Sequence, residues 1–194
     1  SRCSVDTERV NDLDTLLAHM EADDESYRYS VAWIDPLAKG ASLGRSILTR
    51  GDHARRDELA PRQAVDPLAY DPGHLATVPA FVPAPGFMNH ATIGAFNELW
   101  FRKAPRRRVG QVMSLTQFFH PLDAVGRWNR LYGRRGFVQY QFVIPFGAEA
   151  TLRAVIERLA TAGAPSFLSV LKRFGAANPA PLSFPRPGWT LAID

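Results

Sequence analysis

An α+β fold, with a mainly antiparallel sheet and helices packed on one face, is predicted by three observations. The strand-like runs tend to alternate in polarity and are rich in aromatic residues. Segments of helical period lie between those runs. No fixed-period repeat is present. Alternation marks strands with unlike faces, which is the antiparallel habit; strands of a doubly covered parallel sheet are apolar throughout.

The elements follow in order. Leu13, Leu16, Leu17 and Met20 recur at helical spacing and predict a helix over 12–22, with Asn11 as N-cap. A strand over 27–34 places Tyr27, Tyr29, Val31 and Trp33 on one face and Arg28, Ser30, Ala32 and Ile34 on the other. A strand over 45–50 can pair with it across the glycine-bounded turn Gly40–Gly44. Residues 51–86 hold repeated prolines and little period; they read as a long wrapped connection with one short helical turn. A helix over 90–102 carries Ile93, Phe96, Leu99 and Trp100 as a broad apolar face. A basic loop then leads to a strand over 111–119. Proline and glycine punctuate the stretch after His120, which reads as loop with short turns. The strand over 137–144 sets Val138, Tyr140, Phe142 and Ile144 against Phe137, Gln139, Gln141 and Val143. A helix over 149–162 buries Leu152, Val155, Ile156 and Leu159 and stops at Gly163. Strands over 167–172 and 189–193 complete the set.

The chain has 194 residues, 46% hydrophobic, enough for a core in one domain. Its formal charge of +4 is mild and is concentrated in the run Arg102-Lys103-Ala104-Pro105-Arg106-Arg107-Arg108. That run is either a solvated loop or a contact for an anionic membrane surface or acidic partner. Nucleic acid is not expected, because no recognised binding motif accompanies the charge. Cys3 is the lone cysteine, so no internal disulfide forms, and zinc-ligand spacings are absent. No apolar run approaches the roughly 20 residues that span a bilayer, and no signal peptide is visible. The chain starts at Ser1 and stops at Asp194 directly after a strand-like run, so both ends read as cuts in a longer protein.

Lys172 is the residue most suggestive of chemistry. Alternation puts it on the same face as Leu168 and Val170. An ammonium beside aliphatic neighbours is costly unless paired. Either a polar or anionic ligand pairs with it, or its flexible stem carries the charge to solvent. Gln139 and Gln141 share a strand face and can present donors and acceptors to one ligand; the bland alternative is a wet face. Trp33, Phe118, Phe119 and Phe174 are aromatic walls or ordinary core. His120 caps a loop or serves as acid or base. Its spacing to Asp123 matches no derivable catalytic geometry. P-loop, GxGxxG and GxSxG motifs are absent, so nothing here cradles a pyrophosphate.

Longer segments carry a resemblance. In order they are YSVAWID at 29–35, ELWFRK at 98–103, LTQFFHPLD at 115–123, WNR at 128–130, GFVQYQF at 136–142, SFLSVLK at 166–172 and NPAPLSFPRPGW at 178–189. Nearly the whole chain resembles the substrate-binding domain of the decaprenylphosphoryl-β-D-ribose oxidase family, within the vanillyl-alcohol-oxidase-like flavoproteins. The resemblance implies that residues 1–194 are a cap domain whose FAD-binding domain lies outside this chain. It implies that FAD, held mainly by that other domain, takes a hydride from a ribose C2 hydroxyl to give a 2-keto sugar. The substrate is then a polyprenyl-phosphate sugar, and a partner keto-reductase completes an epimerisation for cell-wall arabinan. A cytoplasmic or cell-envelope location follows. Lys172 matches the family's active-site lysine, and Gln139 and Gln141 match its paired glutamines. Trp33, Phe119, Leu122, Leu168, Val170, Phe174 and Asn178 fall where the family lines its pocket. Three positions depart from it. Ala192 stands where the family has the cysteine attacked by nitroaromatic inhibitors, Phe119 where it has a tyrosine, and Thr190 where it has an asparagine. A paralogue acting on another sugar or alcohol, or a non-catalytic module for a polyprenyl phosphate or acidic partner, are the rival readings.

Overall fold

The computed structural model describes residues 2–69, 75–80, 89–166 and 168–194. Parts of the 51–86 connection, and Phe167, lie outside the described residues. The strands are β1 (Arg2–Val10), β2 (Tyr29–Ile34), β3 (Ser46–His53), β4 (Ala76–Thr77), β5 (Arg107–Ser114), β6 (Val125–Gly126), β7 (Tyr140–Ile144), β8 (Val170–Phe174) and β9 (Gly188–Ile193). The α-helices are α1 (Leu13–Asp23), α2 (Pro61–Val65), α3 (His90–Lys103), α4 (Leu115–Phe119) and α5 (Glu149–Ala162). Seven strands form one sheet in the order β5-β1-β3-β2-β8-β9-β7. Every pairing in it is antiparallel. The α+β prediction holds.

One face of this sheet is closed by α1 and α5. Ala32 and Ile34 of β2, Leu171 of β8 and Leu191 of β9 meet Leu13, Leu16 and Met20 of α1 and Leu152 and Ile156 of α5. All are nearly or fully buried. Each such aliphatic side chain contributes about 1.5–3 kcal/mol by leaving water. Asp12, not Asn11, caps α1: its carboxylate accepts from the Thr15 N–H at 2.9 Å and from the Thr15 hydroxyl. Those hydrogen bonds hold the Asp12 carboxyl below its usual range. Gly163 ends α5 in the left-handed conformation, φ 64°, as read from the sequence. Gly188 lets β9 approach β7: a Cβ there would sit 2.3 Å from the Ile144 carbonyl oxygen.

Four further expectations about the elements are corrected, besides the N-cap of α1. First, β1 was not foreseen, yet it lies between β3 and β5 with Cys3 and Val5 fully buried. Second, residues 111–119 are not one strand. β5 ends at Ser114, whose hydroxyl accepts from the Gln117 N–H while Gln117 Oε1 accepts from the Ser114 N–H. This reciprocal capping box starts α4. Third, β7 starts at Tyr140, and Val138 and Tyr140 are exposed, so only Phe142 and Ile144 of that face reach the core. Fourth, α3 buries Ile93 and Asn97, while Phe96, Leu99 and Trp100 are exposed.

The reason for the fourth lies in charge pairing. Asp35, 1% exposed, accepts from Asn97 at 2.8 Å, from the Leu37 N–H and twice from Arg45. Arg45 also binds Glu98 at 2.6 Å and lies over the Phe101 ring. This network fixes α3 by its polar side. The basic run is likewise not a loop: Arg102 and Lys103 end α3, and Arg107 and Arg108 begin β5.

Candidate functional site

The face of the sheet opposite α1 and α5 carries the sequence-singled residues. Strand alternation turns Trp33, Val170 and Lys172 away from the α1–α5 core, in which Ala32 and Leu171 are buried. Register then brings them together. Trp33 pairs with Val170, Val170 with Ala192, and Ala192 with Gln141, giving one row across four strands. In the next row Lys172 pairs with Thr190 and Thr190 with Val143. Gln141 Nε2 donates to Thr190 Oγ1 at 3.0 Å, linking the rows and leaving the Gln141 carbonyl oxygen as an acceptor.

Lys172 is half-buried and has no ion pair among the described residues. Thr190 and Ala192 are buried beneath their larger neighbours.

Two walls rise from this floor. On one side Leu122 and Leu168 pack with Ile93, Tyr132, Leu37 and Trp128. Tyr132 stacks on Phe137 with centroids 4.1 Å apart. Its hydroxyl donates to the Asp194 carboxylate, which also accepts from Ser166 Oγ at 3.0 Å; Ser169 in turn donates to Ser166. Burial, then the Asp194 contact, push the Tyr132 phenol well above its usual range. On the other side Phe118 and Phe119 of α4 meet Tyr29 edge-on or tilted, Phe119 at 4.8 Å.

Between them β2 and β8 part company. Their ladder covers only Ala32–Leu171 and Trp33–Val170, so Tyr29–Val31 and Lys172–Phe174 splay. The fork opens a cleft of about 570 Å³ lined by Tyr29, Phe118, Phe119, Lys172 and Phe174, with Arg28 and Arg173 also on its wall. Phe174 is in turn edge-on to Phe184. At the rear, Asp24 is buried with neither carboxylate oxygen hydrogen-bonded among the described residues. Arg50 reaches it only at 4.0 Å. Desolvation by burial raises its carboxyl above the usual range.

The candidate residues are not all gathered. Trp33, Gln141, Val170, Lys172, Thr190 and Ala192 form the floor, and Leu122 and Leu168 one wall. Phe119, Lys172 and Phe174 share the cleft. Gln139 is exposed just before β7. Asn178 is exposed, and its side chain caps a turn by accepting from the Ala180 N–H at 3.0 Å. His120 and Asp123 share a turn in which the Asp123 N–H donates to the His120 carbonyl at 2.9 Å. The cleft residues Arg28 and Arg173, and the Tyr132–Asp194 contact, were missing from the sequence-based site, whereas Phe118 had been named as a possible aromatic wall. Tyr29 was legible as a face-mate of Trp33. Among the described residues no cluster of His, Cys, Asp or Glu could hold a metal.

No family model matches the chain. A decaprenylphosphoryl-β-D-ribose oxidase of Mycolicibacterium smegmatis is 43% identical over 181 residues, 93% of this chain and 39% of that protein. An uncharacterized protein encoded in the mprA 5' region of Streptomyces coelicolor is 35% identical over 198 residues, 96% of this chain and 52% of that protein. The chain thus spans about half or less of the length of these relatives. Along nearly all of its own length, the chain is similar in sequence to a segment of a decaprenylphosphoryl-β-D-ribose oxidase, as its motifs had indicated.

Proposed function

We propose that this chain is the substrate-binding portion of an FAD-dependent oxidoreductase that oxidises a hydroxyl of a polyprenyl-phosphoryl sugar. The observation that carries the reading is Lys172: a half-buried ammonium with no ion pair among the described residues, on the same face as the Gln141–Thr190 pair. A cation so placed gains from a substrate oxygen that accepts its N–H.

FAD, when bound, supplies the acceptor for the hydride lost from the carbinol carbon. This chain's residues fit the substrate side of such a site. The floor of Trp33, Val170 and Ala192 is mostly apolar; Gln141 ends its row on β7, and Lys172 lies in the next row on β8. The sequence offers no pyrophosphate-binding turn, so the cofactor is assigned to the rest of the parent protein.

Lys172 donates a hydrogen bond to the reacting oxygen and stabilises the negative charge that builds on it as the hydroxyl proton passes to solvent water and the hydride leaves the carbinol carbon. Gln141, oriented by Thr190, accepts from a neighbouring sugar hydroxyl. Phe119, Phe174 and Tyr29 offer apolar surface to the start of the prenyl chain. A 2-keto product of this kind calls for a partner keto-reductase and for cell-envelope work on arabinan precursors.

The test is anaerobic. Polyprenyl-phosphoryl ribose mixed with the oxidised full-length parent should bleach the flavin in a single turnover. Retention of the oxidised spectrum with that substrate, alongside bleaching by an unrelated sugar alcohol, would transfer the reading to a paralogue, to which Phe119, Thr190 and Ala192 lend weight. Ala192 makes a second expectation: a nitroaromatic incubated with the turning-over parent leaves no adduct on the peptide containing it, checked by peptide mass.

A further inference from the structure

We infer that the outward flank of α3, together with the basic residues around its C-terminal end, is a docking surface for a bilayer containing anionic lipid. The helix faces the fold with Ile93 and Asn97, both at most 4% exposed. At helical spacing, Phe96 and Trp100 border the stripe of buried Ile93, and Lys103 and Leu99 lie further out on the same side. Phe96 and Trp100 are each 41% exposed and Leu99 67%, and the two rings stack nearly parallel, 11° apart. Val109, at the start of β5, is 63% exposed. Large rings and aliphatics held this far out of the core are an unusual cluster, not single surface residues.

The surrounding charge is predominantly basic, with Asp6 and Glu8 of β1 beside Arg107 and Arg108. Arg102, Lys103, Arg106, Arg107 and Arg108 are all exposed. Glu98, the one acid of α3, is turned toward Arg45 at 2.6 Å and also meets Arg102. Arg107 faces Glu8 across the β1–β5 ladder, and Glu8 is shared with His19 and Arg50. Arg9 donates to the Phe101 and Arg102 carbonyls, which ties the end of the helix to the sheet and holds the flank in place.

Exposed aromatics rimmed by arginine and lysine match an interfacial helix, whose rings enter the headgroup boundary while the cations meet lipid phosphates. An acidic protein partner would satisfy the charges alone, whereas a bilayer interface takes up both the charges and the exposed Leu99 and Val109. This inference is separate from the oxidoreductase reading, because neither site shares residues with the other.

The experiment sediments the full-length parent with vesicles of phosphatidylcholine containing a minority of phosphatidylglycerol, and with vesicles of phosphatidylcholine alone. Binding is expected only to the mixed vesicles, and to fall as salt screens the charges. The Arg106→Ser/Arg107→Ser/Arg108→Ser variant and the Phe96→Ser/Trp100→Ser variant should each bind at least about tenfold more weakly. Leu99→Ser is a third, smaller change that should act in the same direction if either multiple variant fails to fold. No sedimentation with the mixed vesicles, or equal sedimentation of wild type and variants, overturns the inference. So does strong hydrogen-exchange or labelling protection of this flank in the vesicle-free parent, which would show the remainder of the chain covering it. Turnover enters none of these readouts, so failure here leaves the oxidoreductase reading intact.

Discussion

The two faces of the central sheet are made by alternate residues of the same strands, yet they do different things. Behind the sheet, Ala32, Leu171 and Leu191 disappear against α1 and α5 and hold the fold together. In front, their neighbours Trp33, Val170, Lys172 and Gln141 stay half-buried over a shallow floor and keep polar groups in reach of a ligand. One peptide unit separates a side chain that stabilises from one that can react. The stable face is closed by this chain's own helices, whereas the other is bounded by short helical turns and by the splay of β2 from β8.

Substitutions can break that contrast. Leu171→Ala, on the closed face, leaves a cavity between two helices and should cost about 2–5 kcal/mol in chemical denaturation; a loss under 1 kcal/mol would mean that the face is less tightly packed than described. Asp12→Ala removes the N-cap of α1 and should cost about 1 kcal/mol by the same measurement. On the open face, Thr190→Val removes the partner of Gln141. It should alter stability by at most about 1 kcal/mol while raising KM more than it lowers kcat, read by steady-state kinetics of the parent.

The smallest effect concerns Asp24, at the rear of the fork. Its carboxyl is raised in the folded state, so folding favours the protonated form. That contribution is fully present below the unfolded carboxyl's range and is lost as pH rises through the folded one. Asp24→Asn should therefore raise the melting temperature at neutral pH and lose that advantage in acid. A variant less stable at every pH would show that the ionised carboxylate is a net stabilising partner of Arg50.

The rear face was the easier one to read in the sequence. Leu13, Leu16, Leu17 and Met20, and Leu152, Ile156 and Gly163, announce α1 and α5 by period and stop signal. What escaped was decided by tertiary context. β1 has Cys3, Val5 and Val10 as its buried apolar residues, interrupted by charged and polar neighbours, and it becomes a strand because β3 and β5 pair with both its edges. α3 keeps Ile93 of its visible apolar stripe in the core and leaves Phe96, Leu99 and Trp100 outside, because a buried polar network through Asp35 and Asn97 sets its orientation. α4 was mistaken for strand because Phe118 and Phe119 suit a pleated surface; Ser114 and Gln117 were the overlooked signal. On the front face, alternation grouped Val170 with Lys172, both in β8, while Leu168 precedes the strand and packs into the side wall. The fork between β2 and β8 was invisible, because the partnership joins strands far apart in the chain and stops after two pairs.

Neighbouring residues of β8 give the most direct test. Lys172→Ala in the full-length parent should retain the oxidised flavin spectrum and the wild-type melting temperature while turnover falls by about 10²–10³; Leu171→Ala should lower the melting temperature and leave the turnover of the folded fraction within a few-fold. Wild-type turnover by the Lys172→Ala protein would contradict the assignment of the open face as the substrate face.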